Sequence, residues 1–97
     1  MPPRPAELTL HPPRPTPFRE STALRLDLPA DAAVRLEVFD AQGRRRATLL
    51  QGRLAAGIHQ VAWDGRDSNG FTVPAGTYWL RLSANGAERT VRTVRFR

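Results

Sequence analysis

Three side chains with carboxylate or amide oxygens lie within six residues in the middle of the chain: Asp64, Asp67 and Asn69. Carboxylate and amide oxygens are the ligands that Ca²⁺ prefers, and the ion takes roughly six to eight of them. The spacing differs from that of the common calcium loop, because Arg66 intervenes and no glutamate follows within the loop. The alternative is that these side chains accept hydrogen bonds from backbone amides of their own loop. We predict the backbone role, keep calcium as the alternative, and expect no cofactor.

The common catalytic sites need residue types that this chain lacks or does not place at the required spacing. There is no Cys, which excludes disulfides, thiolate metal ligands and a cysteine nucleophile. The serines, Ser21, Ser68 and Ser83, lie in no G-x-S-x-G elbow, and no carboxylates form an evident acid–base pair. The two histidines, His11 and His59, have no cysteine or carboxylate spacing that would complete a zinc site. We therefore predict a protein that is not an enzyme.

Arginines and one tryptophan are the candidates for contacting a partner. All fifteen basic residues are arginine and the formal net charge is +6. The densest run is Arg44-Arg45-Arg46, and Arg81 lies two residues after Trp79 on the same side of a predicted strand. Guanidinium groups bind carboxylates bidentately, and an exposed Trp beside Arg is suited to a protein or sugar contact. Because few aromatic residues are interleaved with the arginines, we expect no nucleic-acid partner.

Both features also have a plainer interpretation. The arginines are expected to form a solvated basic edge that discourages pairing between sheets of different molecules. Trp79 is expected to point outward and to pack under the proline-rich N-terminal segment rather than to meet a partner.

The elements that carry these residues are strands. Apolar and polar residues alternate in residues 24–28, 34–38, 58–63 and 78–82, whereas no segment has the period of a helix. Asp40–Gly43 is predicted as a turn, residues 45–50 as the returning strand and residues 51–57 as a loop. Asn85-Gly86 predicts a type I′ hairpin turn. Six or seven short strands at this spacing predict an all-β, antiparallel β-sandwich.

The alternation also predicts which side chains face the core. Trp63 is expected in the core, and His59, on the same side of its strand, is expected to be a core or half-buried histidine that donates to a backbone carbonyl. The remaining predicted core residues of the C-terminal half are Tyr78, Leu80, Leu82, Val94 and Phe96.

The N-terminal segment differs in composition from the rest. Residues 1–17 hold seven of the nine prolines, which predicts an extended linker or N-terminal edge segment, followed by a domain over residues 18–97. The N-terminus has no apolar region typical of a signal peptide, and no run is long enough to span a membrane. Either the chain is cytoplasmic as it stands or it is a terminal piece of a longer exported protein, secreted or at the cell surface, and we expect the second.

Four sequence patterns, in register, resemble one family. They are Pro15-Thr16-Pro17-Phe18, Val34–Arg44, Gly57–Gly65 with His59, Val61 and Trp63-Asp64-Gly65, and Val73-Pro74-Ala75-Gly76-Thr77-Tyr78. The chain resembles the Ig-like domain of the flagellar hook-capping protein, which is shared with the C-terminal sorting domains of type IX secretion substrates. In this resemblance His59, Trp63, Asp64, Gly65, Gly70, Pro74, Gly76 and Tyr78 are structural motif residues.

The resemblance implies an Ig-like sandwich of about seven strands that acts by protein–protein recognition. The implied partner is a secretion translocon or a neighbouring domain of a larger polypeptide. Two alternatives stay open: a hook-cap-like assembly or spacer domain, and a module that binds polyanions or glycans.

Overall fold

A computed structural model describes residues 5–97, and those residues form seven β-strands and no helix. The strands are β1 Thr9–Leu10, β2 Thr22–Leu28, β3 Ala32–Asp40, β4 Arg45–Leu54, β5 Gly57–Trp63, β6 Gly76–Ala84 and β7 Ala87–Arg95. They confirm the predicted all-β, Ig-like antiparallel sandwich. Over the same residues, no helix has the length and apolarity that a membrane crossing requires.

Two sheets stack on each other. One has the order β1-β2-β5 and the other has the order β4-β3-β6-β7. Within the second sheet, two hairpins, β3–β4 and β6–β7, join through the pairing of β3 with β6. The chain changes sheet twice through short turns, after β2 at Pro29 and after β4 at Ala55-Ala56. Because proline cannot donate to a sheet ladder, Pro29 helps to end β2 before the crossing.

The core lies between the sheets and is anchored by three aromatic rings. Trp63 is 1% exposed and meets Phe18 edge-on at a centroid distance of 5.4 Å and Tyr78 at 5.3 Å. Edge-to-face pairs of this kind add about 0.5–1.5 kcal/mol each beyond the burial of their area. Trp63 and Tyr78 are therefore core residues, as the alternation predicts.

The prediction that Val94 and Phe96 close the core is wrong. Ala84 pairs with Ala87 across the type I′ turn, so the inward side of β7 carries Val91 and Thr93 instead. Thr93 is 1% exposed, whereas Phe96 lies past the strand end and is 41% exposed. The turn itself is confirmed: Asn85 and Gly86 have φ angles of 49° and 80°, the left-handed values that a type I′ turn needs.

The prediction of a loop over residues 51–57 is also wrong for most of its length. The strand β4 continues to Leu54, which pairs with Ala32, and only Ala55-Ala56 separate it from β5. Gly52 lies within the strand, opposite Val34. Because β4 is an edge strand with two register shifts against β3, it tolerates a glycine that would weaken a central strand.

The described part of the proline-rich segment, residues 5–17, lies against the sandwich. Leu10 pairs with Leu26 and is 7% exposed, and Pro13 is also fully buried. The backbone of Arg14 exchanges hydrogen bonds of 2.8 Å with that of Ala23. The other four residues of the predicted linker, 1–4, lie outside the described residues.

Candidate functional site

The four-stranded sheet has a solvent face on which the candidate partner residues meet; we call it the outer face. Residues opposite each other on paired strands point to the same side of a sheet, so the pairing arranges this face in rows. The rows, each read from β4 to β7, are Arg45, Phe39, Trp79 and Arg92; then Thr48, Glu37, Arg81 and Thr90; then Gln51, Arg35, Ser83 and Glu88.

The first row places the rings of Phe39 and Trp79 between Arg45 and Arg92, and we call it the aromatic row. Trp79 is 37% exposed, which confirms that it points outward. The guanidinium carbon of Arg92 lies 5.9 Å from its ring centroid, and that of Arg81 lies 4.4 Å from the centroid of Phe39. Both distances are within the range of cation–π attraction. Sequence reasoning missed Phe39 and Arg92, because only the register across three strands brings them to Trp79.

Trp79 does not pack under the proline-rich segment as far as that segment is described. From His11 to Arg14, the segment donates backbone hydrogen bonds to the carbonyls of Arg25 and Ala23, which belong to the three-stranded sheet. The segment also reaches the inward side of β7, where Arg89 donates to the carbonyl of Leu8, whereas Trp79 lies on the outer face. The interpretation that the segment covers Trp79 is therefore wrong for residues 5–17.

Glu37 is a buried carboxylate at the centre of the outer face. It points toward solvent by its position on β3, yet it is only 4% exposed. Arg45 donates to it over 3.2 Å and the Arg81 guanidinium lies 3.8 Å away. Two guanidinium groups therefore cover one carboxylate, and the charge that reaches solvent at this row is positive.

Arg44 and Arg46 do not form a free basic patch, because both face Asp40. One oxygen of Asp40 accepts the backbone amides of Gln42 and Arg44 over 3.0 and 2.9 Å. The other accepts Nε of Arg44 over 3.0 Å and lies 3.7 Å from Arg46. Burial alone would raise the pKa of Asp40, but these hydrogen bonds outweigh it and lower the pKa. Arg44 and Arg46 thus stabilise their own turn.

The carboxylates in the loop after β5 are engaged with the backbone. Asp67 accepts the amides of Asn69 and Phe71 over 2.9 and 3.0 Å, and Asp64 accepts that of Arg66 over 3.1 Å. Among the residues that the structure describes, no group of three His, Cys, Asp or Glu side chains is arranged to hold a metal ion. The geometry is that of side chains that close tight turns.

The other motif residues hold this end of the sandwich together. Tyr78 donates its hydroxyl to the carbonyl of Pro74 over 2.6 Å, and burial raises the pKa of this phenol. Trp63 donates Nε1 to the carbonyl of Arg66 over 3.0 Å. Gly65 has a φ of 73°, and a side chain there would meet the Arg95 guanidinium at 3.1 Å.

Three further motif residues have mainly backbone roles. The amide of Gly70 donates to the Asp67 carbonyl over 3.0 Å, and Gly76 begins β6 opposite Arg95. His59 is half-buried and donates Nε2 to the carbonyl of Ala55 over 2.8 Å.

A second charged cluster, on the solvent side of the three-stranded sheet, was missed by sequence reasoning. Asp27 accepts Nε of Arg25 over 2.8 Å and Nε2 of His11 over 2.9 Å. The Arg25 hydrogen bond, with a smaller one from His11, lowers the pKa of Asp27 to about 2 although burial opposes the change. The alternation of Arg25 and Asp27 places them on one side, but nothing in the sequence indicates that His11 joins them.

Comparison with known proteins identifies the family. The model of the FlgD Ig-like domain matches residues 16–88. The basal-body rod modification protein FlgD of Salmonella typhimurium is 40% identical over 77 residues, which are 78% of this chain and 31% of that protein. The chain therefore spans about a third of the length of this relative.

Solved structures show the same architecture. FlgD from Pseudomonas aeruginosa superposes with a TM-score of 0.62 and 28% identity, over 77% of this chain and 60% of that one. Dimeric latent PorU from Porphyromonas gingivalis superposes with a TM-score of 0.71 and 21% identity, over 94% of this chain and 10% of that one. The second likeness concerns the fold alone. The family match covers most of the chain, and we conclude that this protein belongs to the FlgD Ig-like domain family.

Proposed function

We propose that the chain is a non-catalytic accessory or sorting domain of an exported bacterial protein and acts by protein–protein recognition. The observation that carries this proposal is the outer face, where Trp79 is 37% exposed between Phe39 and Arg92. Trp and Arg are the residues most enriched among those that dominate the binding energy of protein interfaces. A flat face built from them suits contact with another protein surface.

The state of the buried carboxylates agrees with a role in recognition rather than turnover. Asp27, Glu37 and Asp40 each lie within 3.2 Å of an arginine nitrogen. A general acid or base at neutral pH needs a pKa near 7, but the pKa values of Asp27 and Asp40 are lowered. Asp27 and Asp40 therefore stay ionised at neutral pH and stabilise the fold.

The sorting function is supported by the resemblance to type IX sorting domains and is tested by export. A reporter fused to residues 1–97, with a signal peptide added before the reporter, is expressed in a type IX-competent host. We expect the reporter at the cell surface or in the medium. A fusion to an established sorting domain is the positive control, and retention of our fusion in the periplasm under conditions that export the control removes the sorting role.

A second candidate, assembly into a hook-cap-like structure, is favoured by the identity of 40% to the Salmonella FlgD domain. Its test is replacement of the corresponding Ig-like domain in that FlgD by residues 16–97, followed by a motility assay and electron microscopy of hooks. Hook assembly by the chimera, with no export of the reporter, would select this function over sorting.

A further inference from the structure

We infer that the outer face is a docking surface for an acidic, extended segment of a partner protein, with the aromatic row as its centre. The inference rests on the proposed recognition function and specifies both the surface and the chemistry of the partner. It assigns binding roles to Phe39 and Arg92, which lie beside Trp79 through the register of β3, β6 and β7.

Charge complementarity indicates the acidic partner. The outer face carries five arginines, Arg35, Arg45, Arg53, Arg81 and Arg92, against two glutamates, Glu37 and Glu88. The surplus of three is half of the formal net charge of +6. Glu37 lies beneath Arg45 and Arg81, so an approaching partner meets guanidinium groups and not this carboxylate.

The arginines at the two ends of the aromatic row set the spacing of the partner. Neighbouring strands lie about 4.8 Å apart, so the row from Arg45 to Arg92 spans about 14 Å. An extended chain rises about 3.3 Å per residue, so this span corresponds to about four residues. Acidic side chains about four positions apart would place carboxylates on both arginines, and because side chains alternate along an extended chain, the middle apolar residue between them would lie over Phe39 and Trp79.

Preorganisation favours this face over the other arginines of the chain. Arg81 is held by Glu37 on one side and lies 3.6 Å from Glu88 on the other, while it stacks on Phe39 at 4.4 Å. A guanidinium fixed in this way loses less conformational entropy when it binds a partner, and its remaining N–H groups can still donate to a carboxylate. Arg44 is held by Asp40 in a similar way, but the arginines of the outer face lie in addition beside the rings of Phe39 and Trp79.

The binding test uses the folded chain and a defined probe. The probe is a short acetylated peptide with two glutamates about four positions apart and valines between them, and its counterpart has lysines in place of the glutamates. Nitrogen-15 NMR reports two indole signals, so Trp63, which is 1% exposed, serves as an internal control for Trp79. We expect the Trp79 signal to shift with the acidic peptide only, and the shift to weaken with added salt.

Variants locate the site. Trp79→Ala and Arg92→Glu are expected to weaken binding of the acidic peptide by at least about tenfold, as substitutions at interface centres do. The matched controls are Ile58→Ala, which removes a side chain that is 58% exposed on the other sheet, and Arg14→Glu, also on that sheet. The controls are expected to bind as the wild type does. Equal losses in all four variants, equal binding of the lysine peptide, or a preference for a polyuronate glycan over the acidic peptide would overturn the inference.

The export assay separates this inference from the proposed function. In one outcome, the wild-type and the two control fusions are exported and the Trp79→Ala and Arg92→Glu fusions are retained. This outcome supports both the sorting function and the docking surface. If all five fusions are exported equally, the sorting function stands and the docking surface is refuted. If the wild-type fusion is retained, sorting is refuted, and the peptide titration still decides whether the outer face binds acidic segments.

Discussion

Asp27→Asn is the substitution whose effect on stability the structure defines most closely. The carboxylate is 11% exposed and accepts hydrogen bonds from Arg25 over 2.8 and 3.1 Å and from His11 over 2.9 Å. The Arg25 interaction is the largest cause of a pKa lowered from 3.8 to about 2. Removing the charge should therefore destabilise the folded chain at neutral pH.

The size of the destabilisation by Asp27→Asn, and the pH range in which it is seen, follow from this lowered pKa. Because the folded state binds the proton less tightly than the unfolded state, the stabilisation is present above pH 3.8 and is lost as the pH falls through about 2. At about 1.4 kcal/mol per pKa unit, the difference corresponds to about 2.4 kcal/mol. Arg25 is 45% exposed, so solvent screening reduces our expectation to about 1–2 kcal/mol.

Urea unfolding followed by tryptophan fluorescence measures this effect. At pH 7, Asp27→Asn should lower the free energy of unfolding by about 1–2 kcal/mol relative to the wild type, and near pH 2 most of that difference should disappear. Arg25→Gln should also destabilise the wild type, and it should have little further effect in the Asp27→Asn background. A difference between Asp27→Asn and wild type that stays constant from pH 7 to pH 2 would refute the reasoning.

Three further predictions concern the end of the sandwich near the loop after β5. Gly65→Ala should cost about 2 kcal/mol by urea unfolding, because φ is 73° and the new methyl meets Arg95 at 3.1 Å. The matched control Gly70→Ala, with φ 85° and open space, should cost about 1 kcal/mol. Tyr78→Phe should cost about 1 kcal/mol, because it removes the bond to a carbonyl four residues upstream. Asp67→Ala should speed hydrogen exchange of the Asn69 and Phe71 amides, because it removes the carboxylate that accepts their hydrogen bonds. Added calcium should leave the wild-type exchange rates unchanged.

The direction in which side chains face could be predicted from the sequence wherever the strand register was anchored locally. Leu24, Leu26 and Leu28 alternate with polar residues on a strand that has one solvent-facing side, so a shift of the pairing register by one residue would expose all three leucines. The error at Val94 arose because the alternation in the last strand was not tied to the turn before it. The pairing of Ala84 with Ala87 across that two-residue turn places Val91 and Thr93 on the inward side and Val94 on the other.

The candidate site was less predictable, because its contacts join residues that are far apart in the sequence. Trp79 could be assigned to the outside from its own strand alone. Its neighbours Phe39 and Arg92 are separated from it by 40 and 13 positions and meet it only through the sheet order β3-β6-β7. The burial of Glu37 depends in the same way on arginines from two other strands.

All fifteen basic residues are arginine and the formal net charge is +6, but not all of these side chains are available to a partner. Several guanidinium groups are bound to the protein itself: Arg89 donates to the carbonyl of Leu8, and Arg95 to that of Val73, each over 3.1 Å. A fork of fixed donors suits such bonds better than the mobile ammonium of lysine. Arginines bound in this way fasten the N-terminal segment and the loop after β5 to β7. On the outer face Arg45 and Arg81 are held by Glu37, beside the half-buried ring of Phe39 and the more exposed ring of Trp79, and positive charge is therefore offered to a partner there.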